Sequence, residues 1–199
     1  MRAIITGDII NSRREKSDVW LPSLKKVLNQ YGSEPKEWEI FRGDSFQLSI
    51  SPEKAILVSL HIKSVVKQNK SLDVRMAIGL GEEKYSSEKI TEANGSAYVN
   101  SGECFDSLKK HTLALKSPSK KFDSTINVML TLSILTANNW SSTVSEVIKT
   151  AIENPKMNQK ELADILNKSQ SSVSEALKRG GFEEIMSMND YYTENVLEI

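Results

Sequence analysis

Hydrophobic positions change their period along this chain, and each change marks an element. Residues 1–5 form a short apolar run, a buried strand that closes at Thr6-Gly7-Asp8. Over residues 20–31, Leu21, Leu24, Val27, Leu28 and Tyr31 recur at three- and four-residue spacing, which predicts an amphipathic helix. Residues 38–41 and 46–50 read as strands around Arg42-Gly43-Asp44-Ser45, hence a hairpin. Ala55, Ile56, Leu60, Ile62 and Val66 predict a helix over 52–68, with Pro52 suited to its first turn. Residues 74–80 alternate and are β-branched enough for a strand. A helix over 96–110 and a last strand at 113–115 complete the first part.

The resulting β-α-β-β-α-β-α-β order over residues 1–117 predicts an α+β sandwich with helices on one sheet face. Residues 118–123 read as a linker, because the composition turns polar around Pro118. Residues 124–199 read as all helical. Ile126, Met129, Leu130, Leu132 and Ile134 make one long helix more apolar than a small monomer needs, so the stretch 126–135 is the expected seam of a homodimer. Val144, Val147, Ile148 and Ile152 make the next helix.

Residues 158–179 have the pattern of a helix-turn-helix, whose second helix can enter the DNA major groove. Leu162, Ile165 and Leu166 give the first helix an apolar face, Asn167-Lys168 makes the turn, and Ser169 can cap the next helix. Val173, Ala176 and Leu177 then face inward. Ser169, Gln170, Ser171, Ser172, Ser174, Lys178 and Arg179 are left to meet base edges and phosphates. Double-stranded DNA is therefore the expected partner.

Charge restricts that expectation. With 26 basic and 26 acidic residues the chain has no net charge, so attraction to DNA must be local. After Arg179 no Lys or Arg follows, while Glu183, Glu184, Asp190, Glu194 and Glu198 do, and this acidic end should point away from phosphate. One cysteine, Cys104, excludes an internal disulfide, and with only His61 and His111 beside it no zinc constellation is available. Cys104 sits in an apolar-periodic stretch and reads as buried filler. No apolar run is long enough to span a membrane and no cleavable leader is evident, so a cytoplasmic protein without membrane partners is expected.

Two motifs in the first part carry possible chemistry, Thr6-Gly7-Asp8-Ile9-Ile10-Asn11-Ser12 and Phe41-Arg42-Gly43-Asp44-Ser45-Phe46. Each sets an aspartate at a strand end beside glycine, and a β-α-β-β unit brings those two ends together. Asp8 and Asp44 then suit a hard divalent ion such as Mg²⁺, or serve only as turn residues. Arg13, Arg14 and Arg42 lie near the same edge, free to bind phosphate or to stay solvated. Trp20, Trp38 and Trp140 read as core or interface anchors.

These motifs resemble the palm-like, ferredoxin-like fold of class III nucleotidyl cyclases. There an Asp-Ile pair ends the first strand and a hairpin carries Gly-Asp; here Asp8-Ile9 and Gly43-Asp44 match in type and order. Val74 to Gly81 resembles the strand before the last active-site helix, and Val99-Asn100 stands where cyclases carry a Val-Asn pair. Cys104 occupies the place of the cyclase arginine, which leaves phosphate charge uncompensated and argues against cyclase activity. The chain as a whole more closely resembles the SatD family of bacterial proteins. The resemblance runs through Ile-Thr-Gly-Asp-Ile-Ile-Asn-Ser-Arg, Arg42 to Gln47, Asp73 to Gly79 and the closing Gln-Ser-Ser-Val-Ser. It implies a cyclase-like first domain followed by the helix-turn-helix.

The leading expectation is a DNA-binding transcriptional regulator whose first domain senses a ligand, such as a nucleotide, or mediates assembly. The competing one is an enzyme acting on nucleotides, with Asp8 and Asp44 binding Mg²⁺.

Overall fold

The computed structural model describes all 199 residues. Five strands, β1 (Arg2–Ile10), β2 (Trp38–Phe41), β3 (Ser45–Ile50), β4 (Asp73–Gly81) and β5 (Leu113–Lys116), make one mixed sheet in the order β2-β3-β1-β4-β5. Only β4 and β5 pair in parallel; β1 runs antiparallel to both of its neighbours. Three helices belong to this part: α1 (Ser17–Leu28), α2 (Ala55–Val66) and α3 (Ser96–Ser107). Five follow: α4 (Lys120–Ala137), α5 (Ser142–Glu153), α6 (Gln159–Leu166), α7 (Gln170–Gly180) and α8 (Phe182–Asn195). The protein is therefore α+β, with no helix long and apolar enough to cross a membrane.

Helices cover both faces of the sheet, not one as the pattern predicts. α1 and α2 close the face carrying Ala3, Ile5 and Ile9, while α3 lies against the other. Small residues let α3 come close. A Cβ on Gly79 would collide with the Ala97 carbonyl and the Ser101 amide, and one on Gly81 with Ser96 and Ala97. Ser101 then donates to Thr6 Oγ1 at 2.7 Å, fixing α3 over β1. A face lined by glycine and alanine carries little apolar signal, so its covering helix was not legible as a second layer.

β1 runs five residues past its predicted end at Ile5, so Asp8 lies inside a strand and not in a turn. Pairing on both sides carries the strand through Gly7-Asp8, overriding the break that glycine and aspartate signal. The stretch expected as a linker is mostly helix. Ser119 accepts from the Phe122 amide and starts α4 at Lys120, which leaves only Pro118 and Ser119 outside regular structure.

One hydrophobic cluster runs through the sheet, α1, α2 and the rear helices, from Ala3 to Val196. Polar joints reinforce it. Buried Lys63 reaches Asp73 at 2.6 Å, and burial pulls its pKa down to about 8 against the pull of that carboxylate. Lys67 donates to the Asn138 carbonyl and Thr112 to the Asn138 side chain, locking the end of α4 to the front part. The free edge of β5 is also covered, because Asn127 of α4 both accepts from the Leu115 amide and donates to its carbonyl. All three tryptophans are buried, as expected of core anchors.

Candidate functional site

α6 and α7 are held by short-range chemistry that the sequence states openly. Asn158 caps α6 through the Lys160 and Glu161 amides, and Glu161 returns a bond to the Asn158 amide, a complete capping box. Asn167 takes the left-handed conformation that ends α6, and Ser169 accepts from the Ser172 amide to start α7. Val173, Ala176, Leu177 and Gly180 are buried and seat α7 on α5. Gly180 lies so close that an added Cβ would be 2.5 Å from Ile148 Cδ1. Ile165, expected on the inner face of α6, is instead 54% exposed; Leu162 and Ala163 are buried in the core and Leu166 packs against it.

The outer face of α7 is polar and open. Ser169, Gln170, Ser171, Ser172, Ser174, Lys178 and Arg179 are all exposed. Ser169, Ser171 and Ser172 bond among themselves at the cap, whereas the side chains of Gln170, Ser174, Lys178 and Arg179 meet no protein partner. Lys168 is different: it is spent on Glu146 of α5 at 3.0 Å.

A second group gathers where β1 ends. Register places Asp8 across from Ser45 on β3 and Arg75 on β4. Ser45 donates to one carboxylate oxygen of Asp8 at 3.1 Å, and Arg75 holds the other through both Nε and a terminal nitrogen at 3.1 Å. The Arg75 guanidinium also lies 4.8 Å over the Phe105 ring of α3. Asp44 comes to the same end, with its carbonyl accepting from the Ile9 amide and its carboxylate from Ser12 at 2.5 Å. Arg42 and Gly43 both take positive φ in the three-residue loop that joins Phe41 to Ser45. Arg13, Arg14 and Arg42 are exposed and make no ion pair. The two aspartates thus meet at one sheet end, but each is already bonded. A divalent cation at Asp8 would have to displace Arg75, and no set of three His, Cys, Asp or Glu side chains gathers anywhere to hold a metal. Asp8 as it stands is the partner of Arg75. Arg75 had only one sequence signal, its place on the alternating strand 74–80; its partner follows from register alone.

A cleft of about 610 Å³ opens between α1, the end of α2 and α5. Trp20, Leu24, Val27, Val65 and Val66 form its apolar wall, and Lys26, Lys70, Lys149 and Glu153 its polar rim. Glu153 is bonded by Lys149 at 2.6 Å and Gln30 at 3.2 Å. Burial works against its charge, but those bonds outweigh it and hold the carboxyl below the usual range. Behind it lies His61, 1% exposed, 3.3 Å from Glu153 through Nε2 yet too oblique for a hydrogen bond. Its Nδ1 is 2.6 Å from the Tyr31 hydroxyl. Burial pushes the Tyr31 pKa up to about 12, so the phenol keeps its proton and can donate it to Nδ1. Burial likewise pushes His61 below its ordinary value, with Glu153 opposing and Lys149 assisting. Nothing in the hydrophobic pattern separates this histidine from a core residue.

Cys104 is buried against Ala77 and Leu108, with its thiol pushed up to about 12 by burial. Asn100, of the Val99-Asn100 pair, donates to the Leu80 carbonyl at 2.8 Å and so serves the α3–β4 contact.

A family model described as the SatD family matches residues 2–194. The chain belongs to the SatD family. No curated protein matches it. Membership in the SatD family spans the sheet and nearly all of the rear helices, so the Asp8–Arg75 end and the outer face of α7 both fall inside the matched region.

Proposed function

We propose that this SatD-family protein is a DNA-binding transcriptional regulator in which α6 and α7 act as a helix-turn-helix and α7 is the recognition helix. The observation that carries the reading is the division of α7: every apolar residue is buried, and Gln170, Ser174, Lys178 and Arg179 stand exposed without protein partners. Such a face offers amide and hydroxyl groups to base edges and two cations to phosphate. Of the acidic positions after Arg179, Glu183, Glu184, Asp190 and Glu194 lie on α8 and Glu198 just beyond it, consistent with a reader presented on one side only.

In this reading the sheet part is a palm-like unit, a view supported by the split β-α-β arrangement in which β1 lies between β3 and β4. It serves sensing or assembly. The cleft between α1, α2 and α5 is where a ligand would act on the reader, because α5 lines the cleft with Lys149 and Glu153 and seats α7 with Val144 and Ile148. A ligand that binds better in one α5 position would shift DNA affinity by linkage.

Fluorescence anisotropy against a genomic fragment library tests the proposal. Lys178→Ala and Arg179→Ala should weaken binding to all fragments and each lower the log–log salt slope by about 1. Gln170→Ala should relax preference at particular bases, at a cost of about 1–3 kcal/mol for a good contact. Absence of salt-sensitive binding by the folded wild-type protein sinks the reading.

A second reading, an enzyme binding nucleotide with Mg²⁺, has one observation in its favour: Asp8 and Asp44 reach the same sheet end, beside exposed Arg13, Arg14 and Arg42. Calorimetric titration with Mg²⁺ and ATP tests it, and heat that vanishes in Asp44→Asn would move this reading ahead.

A further inference from the structure

α4 presents two apolar faces, and only one of them is used. Phe122, Ile126, Leu130, Ile134 and Ala137 are buried against the rest of the chain. On the opposite side Val128, Leu132 and Leu135 are 61%, 62% and 65% exposed. Folding a single copy leaves most of these three aliphatic side chains in water.

Their spacing is specific. Lys121, Thr125, Val128, Leu132, Leu135 and Asn139 follow one another at alternating steps of four and three, the repeat of a coiled-coil seam. The series is also symmetric about position 130. A second α4 laid antiparallel across a two-fold axis there sets Val128 against Leu132, Thr125 against Leu135 and Lys121 against Asn139, each twice over. That self-complementarity is what an isologous contact requires.

The charges at the two ends agree with this direction. Lys120 and Lys121 begin α4, where they oppose its dipole, and neither finds a partner within the chain. Glu184 lies at the other end: a Cβ built on Gly181 would be 3.4 Å from Thr136 Cγ2 and 3.8 Å from Glu184 Oε2. Glu183 and Glu184 are exposed and form no ion pair. Antiparallel packing carries each lysine pair towards the carboxyl end of the partner's α4 and the glutamates beside it. Parallel packing would bring the lysines together.

We infer that a second copy of this chain docks on the outer face of α4, forming an antiparallel α4–α4 seam of Val128, Leu132 and Leu135 with crossed Lys120/Lys121 to Glu183/Glu184 contacts. The inference goes beyond the DNA-binding reading and is measured without DNA, so either can fail alone. One helix per copy makes a small interface, and dissociation in the micromolar range is expected.

Sedimentation equilibrium of the full chain over roughly 1–100 µM reads the association directly. Wild type should reach dimer, and Leu132→Lys should raise the dissociation constant at least about tenfold. Its circular dichroism should be unchanged, since Leu132 is exposed in the single chain. Direction is read by disulfide trapping: Val128→Cys protein mixed with Leu132→Cys protein should give a covalent dimer, while each alone gives little. Reversal of both lysines (Lys120→Glu with Lys121→Glu) should weaken the dimer, and adding Glu183→Lys with Glu184→Lys should restore it. A monomer throughout the range, a dimer indifferent to Leu132→Lys, or efficient trapping by either single cysteine variant alone would each overturn the proposal.

Discussion

Arg75 meets Asp8 through two nitrogens and stacks on Phe105, so its guanidinium ties β1, β4 and α3 together at one point. The pair is partly exposed, and solvent screens it. Arg75→Ala should therefore cost only about 0–1 kcal/mol in urea unfolding. The same variant frees the Asp8 carboxylate beside Asp44. On the reading in which Asp8 and Asp44 bind Mg²⁺, calorimetry should show tighter Mg²⁺ binding by Arg75→Ala than by wild type, and equal heats would count against it. His61 makes a sharper statement. Its folded pKa lies below the unfolded value of about 6.5, so the unfolded chain takes up the proton first as pH falls. Its contribution to stability is complete above about pH 6.5 and is lost as pH drops towards the depressed folded value. Urea midpoints should fall from pH 7.5 to pH 5.5, and His61→Gln should flatten that part of the profile. Asp8 and Asp44 were readable as chemistry because Gly-Asp at a strand end is a local signal. Arg75, Tyr31 and Glu153 were not, because each acquires its role from a partner 30 or more residues away.

Elements stand or fall on how closely they approach. α7 rests on α5 at Gly180, where Ile148 Cδ1 and Val144 Cγ1 leave no room for a side chain. Gly180→Val should lift α7 from its seat at a cost of about 1–3 kcal/mol, read by chemical denaturation, and on the proposed function it should also abolish DNA binding. The positions of α5, α6 and α7 were legible because their caps and their 3.6-residue periodicity agree: Asn158 with Glu161, then Ser169, then the buried Val173, Ala176 and Leu177. β1 and α4 were misjudged at their ends for one reason. Local breakers, Gly7-Asp8 in one and the polar run after Pro118 in the other, were overruled by pairing with β3 and β4 and by the Ser119 cap. Local composition indicates where a chain can turn; neighbours decide whether it does.

The whole molecule shares one core. Ile5, Leu60, Ile134, Val147 and Tyr192 belong to the same cluster, and Lys67, Thr112 and Gln30 add polar ties from the front part to the rear. Thermal unfolding followed by far-ultraviolet dichroism and by tryptophan fluorescence should therefore give one coincident transition. Residues 1–117 and 120–199 expressed apart should each unfold well below the intact chain, or fail to fold at all. Two separated transitions in the intact protein would show the halves to be independent.

Tyr192 closes that core from the far end of the chain, with its hydroxyl donating to the Pro52 carbonyl at 2.6 Å across 140 positions. A ribosome makes the sheet long before it makes α8. During synthesis the segment around Pro52 and the foot of α2 must wait, uncovered, until the last helix leaves the exit tunnel. A stop just ahead of Tyr192 would cut α8 short and leave the Pro52 carbonyl without its partner, although every strand of the sheet had been made.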